Sequence, residues 1–408
     1  MTPLALSAWA AALFLASDLY PHTVALRLLL LFGGAALALA ELARARLGGQ
    51  PGATRFLPPL LVPLALWAAW AIASLGWSLE PARSLKELKN EVGYAYLAYW
   101  LGYVAAQARS APRLMAAALG LGAAGACAIG LYALWGSSPS VLRYYNGPGA
   151  QSSALLTLMP CAALAAFVAA RTSLARSVRW AGIALIALLL AAAYATLNRT
   201  VWLGFAAQLA LLGAFWRARP ELRPRPLRAA RKWLLLATAA CVVAAAGAMT
   251  LVVQKERLHE NAAAAFEQDP RLELWPAVIR MIEAHPLTGY GFGRGIARHT
   301  LHEEFDDALL WHAHNLFLEA GVELGLPGIA LLLLVLGATL REGWRLWRDP
   351  EPLAAACGAA LVAVLAGMLV RNMTDVLWVR QNALLYWGVI GALVAWGRKA
   401  SGAPRSAG

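Results

Sequence analysis

Long apolar runs dominate the chain and alternate with short polar connections. The runs are rich in Leu, Ala and Val, and each approaches the length of about 20 residues that a helix needs to cross a bilayer. They lack the alternating polarity that predicts the strands of a membrane barrel. A segment in lipid must satisfy its own backbone polar groups, so the runs predict transmembrane helices. Twelve spans are expected, at 4–19, 23–42, 58–78, 92–107, 113–135, 152–170, 179–197, 201–216, 233–253, 317–340, 353–370 and 382–397.

One stretch, residues 254–314, interrupts this pattern. It holds six of the chain's 7 histidines and ten of its 22 acidic residues. We therefore expect one transmembrane domain over 1–408, with residues 254–314 forming a single large loop between spans nine and ten. Within the loop, Leu272, Trp275, Ile279 and Ile282 recur at helical spacing and predict an amphipathic helix over 272–284. Its apolar side could lie on the membrane surface or pack on the spans beneath it.

The ends of this predicted helix carry further signals. Asp269-Pro270 offers an N-cap followed by a proline at the first helical position. Pro276 is expected to kink or restart the helix, because proline lacks the N–H that the helical ladder needs. Further on, Gly289, Gly291, Gly293 and Gly295 alternate with larger residues. They predict tight turns with positive φ rather than a phosphate loop, which would need a preceding strand.

Composition and charge support the membrane assignment and set an orientation. The chain is 60% hydrophobic and only 14% charged, with a mean hydropathy of +0.58, which excludes an ordinary soluble protein. Most of its 35 basic residues fall in the connections on one side, so that side is expected to be cytoplasmic and to hold both termini. The net charge of +13 is then mainly a topology signal. Basic residues spread over many short loops do not favour nucleic-acid binding.

Two histidines at the end of the loop are the strongest candidates for chemistry. His312 and His314 directly precede Asn315 and a new span. A histidine hydrogen-bonded at a helix start, a metal ligand and a general base are all compatible with this position. Neither Cys nor an H-E-x-x-H spacing accompanies the pair, so a metal is disfavoured. Imidazole is suited to proton transfer because its unperturbed pKa is about 6.5, so the base is the preferred interpretation.

Arginines are expected on the same side of the membrane as these histidines. Arg199 lies at a junction of two spans, Arg271 opens the amphipathic segment, and Arg143 lies in a short connection. Any one of them could simply reach lipid phosphates. Together they predict a site for a lipid-linked phosphate or diphosphate, since guanidinium binds phosphate oxygens bidentately. The spans carry very few acids, which disfavours a proton-driven transporter.

Four motifs, which follow one another along the chain, resemble those of the O-antigen ligase family. The last of them begins at His314. His314-Asn315 is followed after nine residues by Gly325 and after two more by Gly328. The upstream matches are Trp77-Ser78-Leu-Glu-Pro81-Ala-Arg83-Ser84, then Asn198-Arg199-Thr-Val-Trp202, then Arg271-Leu-Glu-Leu-Trp275 with His285-Pro286-Leu-Thr-Gly289-Tyr-Gly291. The resemblance covers most of the chain between about residues 60 and 397.

The resemblance implies an all-α, polytopic, GT-C-like fold and an inverting glycosyltransferase that needs no metal and no cofactor. Such an enzyme moves O-antigen polysaccharide from undecaprenyl diphosphate to lipid A–core at the periplasmic face of the Gram-negative inner membrane. Its partners are these two lipid-linked glycans and the membrane lipid, with no nucleic acid.

For this chain we expect His314 as the base. Arg199 and Arg271, with Arg143 as a weaker third, are expected to bind the donor diphosphate. His312 and Asn315 are expected to support them, and which of the two histidines is the base stays open. An O-antigen polymerase and a protein O-oligosaccharyltransferase of the same superfamily remain alternatives. A solute transporter is a further one. Polymerases usually show two large outer loops, whereas one is predicted here.

Overall fold

A computed structural model describes residues 1–20, 22–48, 56–135, 147–171, 176–195, 199–220, 269–305, 310–376, 378 and 380–402. Throughout these ranges the regular structure is helical and includes no strand, so the predicted all-α class is confirmed. The first seven helices are α1 Pro3–Ser17, α2 Val24–Leu47, α3 Leu61–Ala73, α4 Pro81–Glu87, α5 Tyr94–Ala105, α6 Ala111–Trp135 and α7 Gly147–Arg171. The others are α8 Arg176–Ala195, α9 Arg199–Ala218, α10 Arg271–Ala284, α11 Arg298–Phe305, α12 Leu316–Trp347, α13 Pro352–Asn372 and α14 Arg380–Ser401.

The helices agree with the apolar pattern of the sequence. Every predicted span except 233–253 coincides with one of them, and 233–253 lies outside the described residues. Five helices of the described part are long and apolar enough to cross a membrane: Val24–Leu47, Ala111–Ile129, Thr200–Ala218, Leu316–Trp347 and Pro352–Asn372. Their length and composition indicate a membrane protein.

Small residues bring α14 and α5 into close contact at the centre of the bundle. A Cβ on Gly102 would collide with the carbonyl of Gly388, and a Cβ on Gly391 would collide with the carbonyl of Tyr99. Such close approach of backbones is typical of helix packing in membranes, where van der Waals contact replaces the hydrophobic drive. Tyr99 and Tyr386 are fully buried beside this contact.

A break within α12 provides a docking surface for the loop that precedes it. Gly325 adopts φ 67° and ψ −167°, which interrupts the helical hydrogen-bond ladder. The carbonyls of Val322 and Glu323 therefore accept from outside the helix, from the N–H groups of Tyr290 at 2.8 Å and Gly291 at 2.9 Å. The spaced glycines of the sequence motif thus have a structural reason: one of them, Gly325, breaks the helix that receives the loop.

Helix α10 confirms the predicted helix but not the N-cap that the sequence indicated for it. It begins at Arg271 and runs to Ala284 as one helix with Pro276 inside it, so the helix does not restart at Pro276. The N-cap position is Pro270 rather than Asp269. The Asp269 carboxylate still accepts the N–H of Arg271 at 3.0 Å, so an aspartate does stabilise the first turn, but one residue further from the helix than expected.

The apolar residues of α10 divide between the protein interior and the surface. Leu274, Val278 and Ile282 are buried, whereas Leu272 and Ile279 are 46% and 45% exposed. The helix carries apolar residues on more than one side, so spacing alone could not identify the side that packs against the protein. Leu272 and Ile279 form an exposed apolar strip, as expected of a helix at a membrane surface.

Buried acidic residues in α12 contradict the expectation that the spans carry very few acids. Glu319, Glu323 and Glu342 are all buried along this one helix. Glu342 is held by the Arg398 guanidinium through two hydrogen bonds of 2.7 and 3.0 Å. The spans therefore contain more buried acid than the sequence pattern predicted, and scarcity of such groups is no argument against a transporter.

Candidate active site

Asn315 anchors the start of α12 and fixes the two histidines before it. Its extended backbone allows the side-chain oxygen to accept from the N–H groups of Phe317 at 2.9 Å and Leu318 at 3.2 Å, which is a helix N-cap. Its side-chain nitrogen donates to the carbonyl of Met373 at 3.2 Å. Asn315 thereby ties the end of the loop to the connection between α13 and α14.

His312 and His314 face each other across a tight turn. Their ring centroids lie 3.8 Å apart, and the backbone N–H of His314 donates to Nδ1 of His312 at 3.0 Å. His314 has φ 49°, a left-handed conformation that is uncommon outside glycine and is often found at functional sites. The turn therefore holds both imidazoles in one place, although the sequence separates them by one residue.

Asp375, in the connection between α13 and α14, meets both histidines. Its Oδ1 lies 3.7 Å from Nδ1 of His314, 3.8 Å from Nε2 of His312 and 3.3 Å from Nη2 of Arg294. Burial favours the neutral acid, but the hydrogen bond to His314 and the charges of Arg371 and Arg294 outweigh it and lower the pKa of Asp375. The group is therefore an ionised carboxylate.

Arg294 comes from the glycine loop, defined here as residues 285–297. Its Nη2 lies 2.7 Å from Nε2 of His312, and its guanidinium lies over the Trp311 ring at 4.7 Å from the centroid. Burial, followed by the positive charge of Arg294, lowers the pKa of His312 to about 2. His312 is therefore neutral, and its side chain is 2% exposed against 23% for His314. His314 is the more accessible of the two imidazoles.

Arg271 and Arg371 complete a cluster of three arginines around Thr374 and Asp375. Arg271 donates to the Thr374 carbonyl at 3.2 Å and to Asp269 at 3.1 Å. Arg371 donates to the Thr374 hydroxyl at 3.0 Å and to Asp375 at 3.3 Å. The Nε atoms of the three arginines are buried and have no hydrogen-bond partner within the described ranges. Unused buried donors of this kind are suited to an anionic ligand.

His312, His314 and Asp375 also have the composition of a metal site, since their ligand atoms lie within 4.8 Å of one another. The surroundings do not suit a cation. Nδ1 of His312 faces the N–H of His314, and its Nε2 faces the Arg294 guanidinium. A neutral imidazole has one lone pair in the ring plane, and whichever of the two nitrogens carries it, a protein donor already faces it. The adjacent arginine charges add repulsion, so the arrangement favours an anion over a metal.

Positive φ values shape the glycine loop, as the sequence predicts. They are 60° at Gly289, 107° at Gly291, 134° at Gly293 and 69° at Gly295. A Cβ on Gly289 would lie 2.6 Å from the backbone of α12, so only glycine lets the loop enter the break at Gly325. The alternating glycines thus bring Arg294 to the histidines and do not form a phosphate loop.

Two further elements hold the glycine loop in position. Trp77 Nε1 donates to the Thr288 carbonyl at 2.8 Å, and Arg83 donates to the Arg294 carbonyl at 2.9 Å. Glu319 accepts from the N–H of Gly295 at 3.0 Å and from that of Ala313 at 2.7 Å. The motif that begins at Trp77 therefore acts on the site indirectly, by bracing the backbone that carries Arg294.

The predicted site residues are brought together only in part. His312, His314, Asn315 and Arg271 lie close together around the 373–375 segment. Arg199 begins α9, but its side chain is not described, and Arg143 lies outside the described residues. The sequence interpretation missed Arg294, Arg371 and Asp375. A signal was available for Asp375, since it is an acid in a short connection between two apolar spans.

Comparison with known proteins agrees with the motifs. No curated protein matches the chain. The family model described as O-antigen ligase matches residues 184–333, a range that contains Arg199, Arg271, Arg294 and His314 but not Asp375. The predicted resemblance is confirmed: residues 184–333 are similar to the O-antigen ligase family, a family of membrane enzymes of the glycosyltransferase type.

Proposed function

We propose that this protein is an O-antigen ligase, an inverting glycosyltransferase that uses neither metal nor cofactor. It moves O-antigen polysaccharide from undecaprenyl diphosphate to lipid A–core. The observation that carries the proposal is the pairing of His314 with Asp375 beside Arg271, Arg294 and Arg371. This arrangement supplies a base and a binding site for an anionic leaving group within a family of membrane enzymes.

His314 is the proposed general base. Its accessible imidazole accepts the proton of an acceptor sugar hydroxyl as the oxygen of that hydroxyl attacks the anomeric carbon of the donor. Asp375 faces Nδ1 of His314, so Nε2 is the nitrogen assigned to the proton. The carboxylate orients the ring and stabilises the imidazolium that forms, the role that the acid of a hydrolase triad performs.

The arginine cluster is the proposed site of the donor diphosphate. As the new glycosidic bond forms, the bond between the anomeric carbon and the diphosphate oxygen breaks, and undecaprenyl diphosphate leaves with the electron pair. Arg271 and Arg294 stabilise the negative charge that develops on that oxygen. Arg199 and Arg143 are proposed to contact the same diphosphate. A single displacement inverts the anomeric centre and needs no covalent enzyme intermediate.

The proposed setting is the bacterial inner membrane, with both termini in the cytoplasm and the site at the periplasmic face. The excess of basic residues in the connections on the opposite side supports this orientation. A periplasmic site also suits substrates that are already lipid-linked, because neither substrate is a nucleotide sugar.

The test combines the purified protein with undecaprenyl-linked glycan and lipid A–core, without added metal. We expect the core band to shift upward on a gel as glycan is attached to it. Glycan extension on the carrier with no change in the core band would instead identify a polymerase. Glycan attached to an added protein would identify an oligosaccharyltransferase. Solute flux into proteoliposomes with no transfer at all would identify a transporter.

A further inference from the structure

A cavity lies beside the proposed reaction centre, between α3, α5, α12 and α14. It is a small cavity of about 80 Å³ with an open mouth. Arg294 lines this cavity and also contacts His312 and Asp375. The cavity therefore borders the proposed reaction centre at Arg294.

Aromatic rings form much of the cavity wall. Trp67 comes from α3, Tyr96 from α5 and Trp387 from α14, and Trp378 precedes α14. The Trp378 and Trp387 rings lie 5.8 Å apart with an interplanar angle of 30°, so they present two roughly parallel faces. Flat aromatic faces of this kind pack against the C–H faces of sugar rings.

Hydrogen-bonding groups share the same wall. Glu91, Glu319 and Glu323 line the cavity, and a carboxyl group can accept hydrogen bonds from hydroxyls. Trp378 contributes a donor: its Nε1 is buried and has no hydrogen-bond partner in the part of the chain that is described. A buried indole N–H normally has a partner, and a hydroxyl in the cavity would supply one.

This combination distinguishes among the possible occupants. Three acidic groups disfavour a diphosphate, which the arginine cluster on the other side of Arg294 suits far better. A prenyl chain would remove water from these acidic groups without replacing its hydrogen bonds, at a cost of several kcal/mol (roughly 2–7 per group). A sugar ring satisfies both features of the wall, because its hydroxyls bond the carboxyls and its C–H faces pack on the indoles.

We propose that this cavity is a subsite for a sugar ring of one of the two glycan substrates, held next to His314 and Arg294. The assignment rests on the proposed glycosyl transfer. The ring can come from the donor, as the sugar attached to the diphosphate, or from the acceptor, as the core sugar that receives the glycan. The chemistry is the same in both cases, so the experiment must separate the two sources.

The test measures equilibrium affinity with the full-length protein in nanodiscs of phosphatidylethanolamine and phosphatidylglycerol. Two pairs of probes are used: undecaprenyl diphosphate with and without its glycan, and lipid A with and without its core. The variants are Trp378→Phe, which keeps an aromatic ring but removes the N–H donor, and Glu323→Gln, which keeps the shape of the side chain. Trp9→Phe is the control, because Trp9 is 46% exposed on α1 and does not line the cavity.

We expect Trp378→Phe and Glu323→Gln each to weaken the binding of one sugar-bearing probe by roughly threefold to tenfold. The matching sugar-free probe and the Trp9→Phe control should be unaffected. The sugar-bearing probe that responds identifies the source of the ring. Unchanged affinity for both sugar-bearing probes would overturn the proposal, and so would an equal loss for a sugar-free probe, which would assign the cavity to lipid.

These affinities are independent of turnover. Sugar-dependent binding through Trp378 in a protein that transfers no glycan would retain the subsite and reject the ligase. Transfer to the core with no sugar-dependent loss of affinity would retain the ligase and reject the subsite.

Discussion

Nδ1 of His314 lies 3.7 Å from Oδ1 of Asp375, although α12 and α13 separate the two residues along the chain. Arg371 and Arg294 hold the same carboxylate, each at 3.3 Å. A carboxylate fixed in this way sets the orientation and tautomer of the imidazole that it faces. The relationship connects the family motif at His314 to a residue outside the range that the family model matches.

His314→Ala is expected to reduce glycan transfer to lipid A–core by about 10²- to 10⁴-fold, the usual contribution of a general base. The measurement is the initial rate in the purified-component assay. His299→Ala is the matched control, because the His299 side chain is 74% exposed and lies on α11, between the glycine loop and His314. Transfer by His314→Ala within about threefold of the control would reject the base assignment.

Asp375→Asn is expected to lower the rate constant for transfer by roughly 10- to 100-fold and to leave donor affinity nearly unchanged. Asparagine keeps the size of the side chain and its bond to the N–H of Val376, but it loses the charge that stabilises an imidazolium. Steady-state kinetics separate the two effects. A change confined to KM would show that Asp375 contributes to binding and not to the positioning of His314.

The contribution of Asp375 to the stability of the fold should decrease as pH falls. Its pKa is depressed in the folded protein from an ordinary value of 3.8, so the carboxylate stabilises the fold fully above that value and loses this effect as pH falls further. The melting temperature of the parent protein minus that of Asp375→Asn should therefore stay constant from about pH 8 to 5 and shrink below about pH 4. A difference that increases on acidification would contradict the assignment.

Arg294→Lys and Arg271→Lys are each expected to weaken binding of the diphosphate-linked donor by roughly tenfold, because lysine keeps the charge but cannot bind phosphate bidentately. Donor affinity is measured in nanodiscs with undecaprenyl diphosphate as the probe. Arg280→Lys serves as the control, since Arg280 is 63% exposed and pairs with Glu304. Normal donor binding in both variants would remove the diphosphate site from this cluster.

Gly325→Ala should lower the thermal stability and the transfer rate, whereas Gly337→Ala in the same helix should not. Gly325 has φ 67°, and a Cβ there would lie 2.6 Å from the Pro286 carbonyl, so alanine would be both strained and obstructed. The expected cost is about 1–3 kcal/mol. A Cβ on Gly337 would meet nothing within 4 Å, and alanine favours helix there by up to about 1 kcal/mol. Equal melting temperatures would contradict the docking role of the break.

Local patterns in the sequence determined the helices. Each predicted apolar span that falls on described residues coincides with a helix, and glycine spacing predicted the positive φ values of the glycine loop. The motif at His314-Asn315 led to the family and to the more accessible histidine. These predictions succeed because helix formation and backbone freedom depend on neighbouring residues.

Only the tertiary structure decided which distant side chains meet. Asp375, Arg371 and Arg294 join the histidines because α13 and the glycine loop pack against α12. No periodic pattern in the sequence predicts that packing. The same packing decides that α10 buries Leu274 rather than Leu272 and that α12 accepts the buried acids Glu319 and Glu323. The sequence by itself thus determined a helical membrane protein with a resemblance to the O-antigen ligase family. The charges that form its site depend on distances across the bundle, and only the folded chain sets those distances.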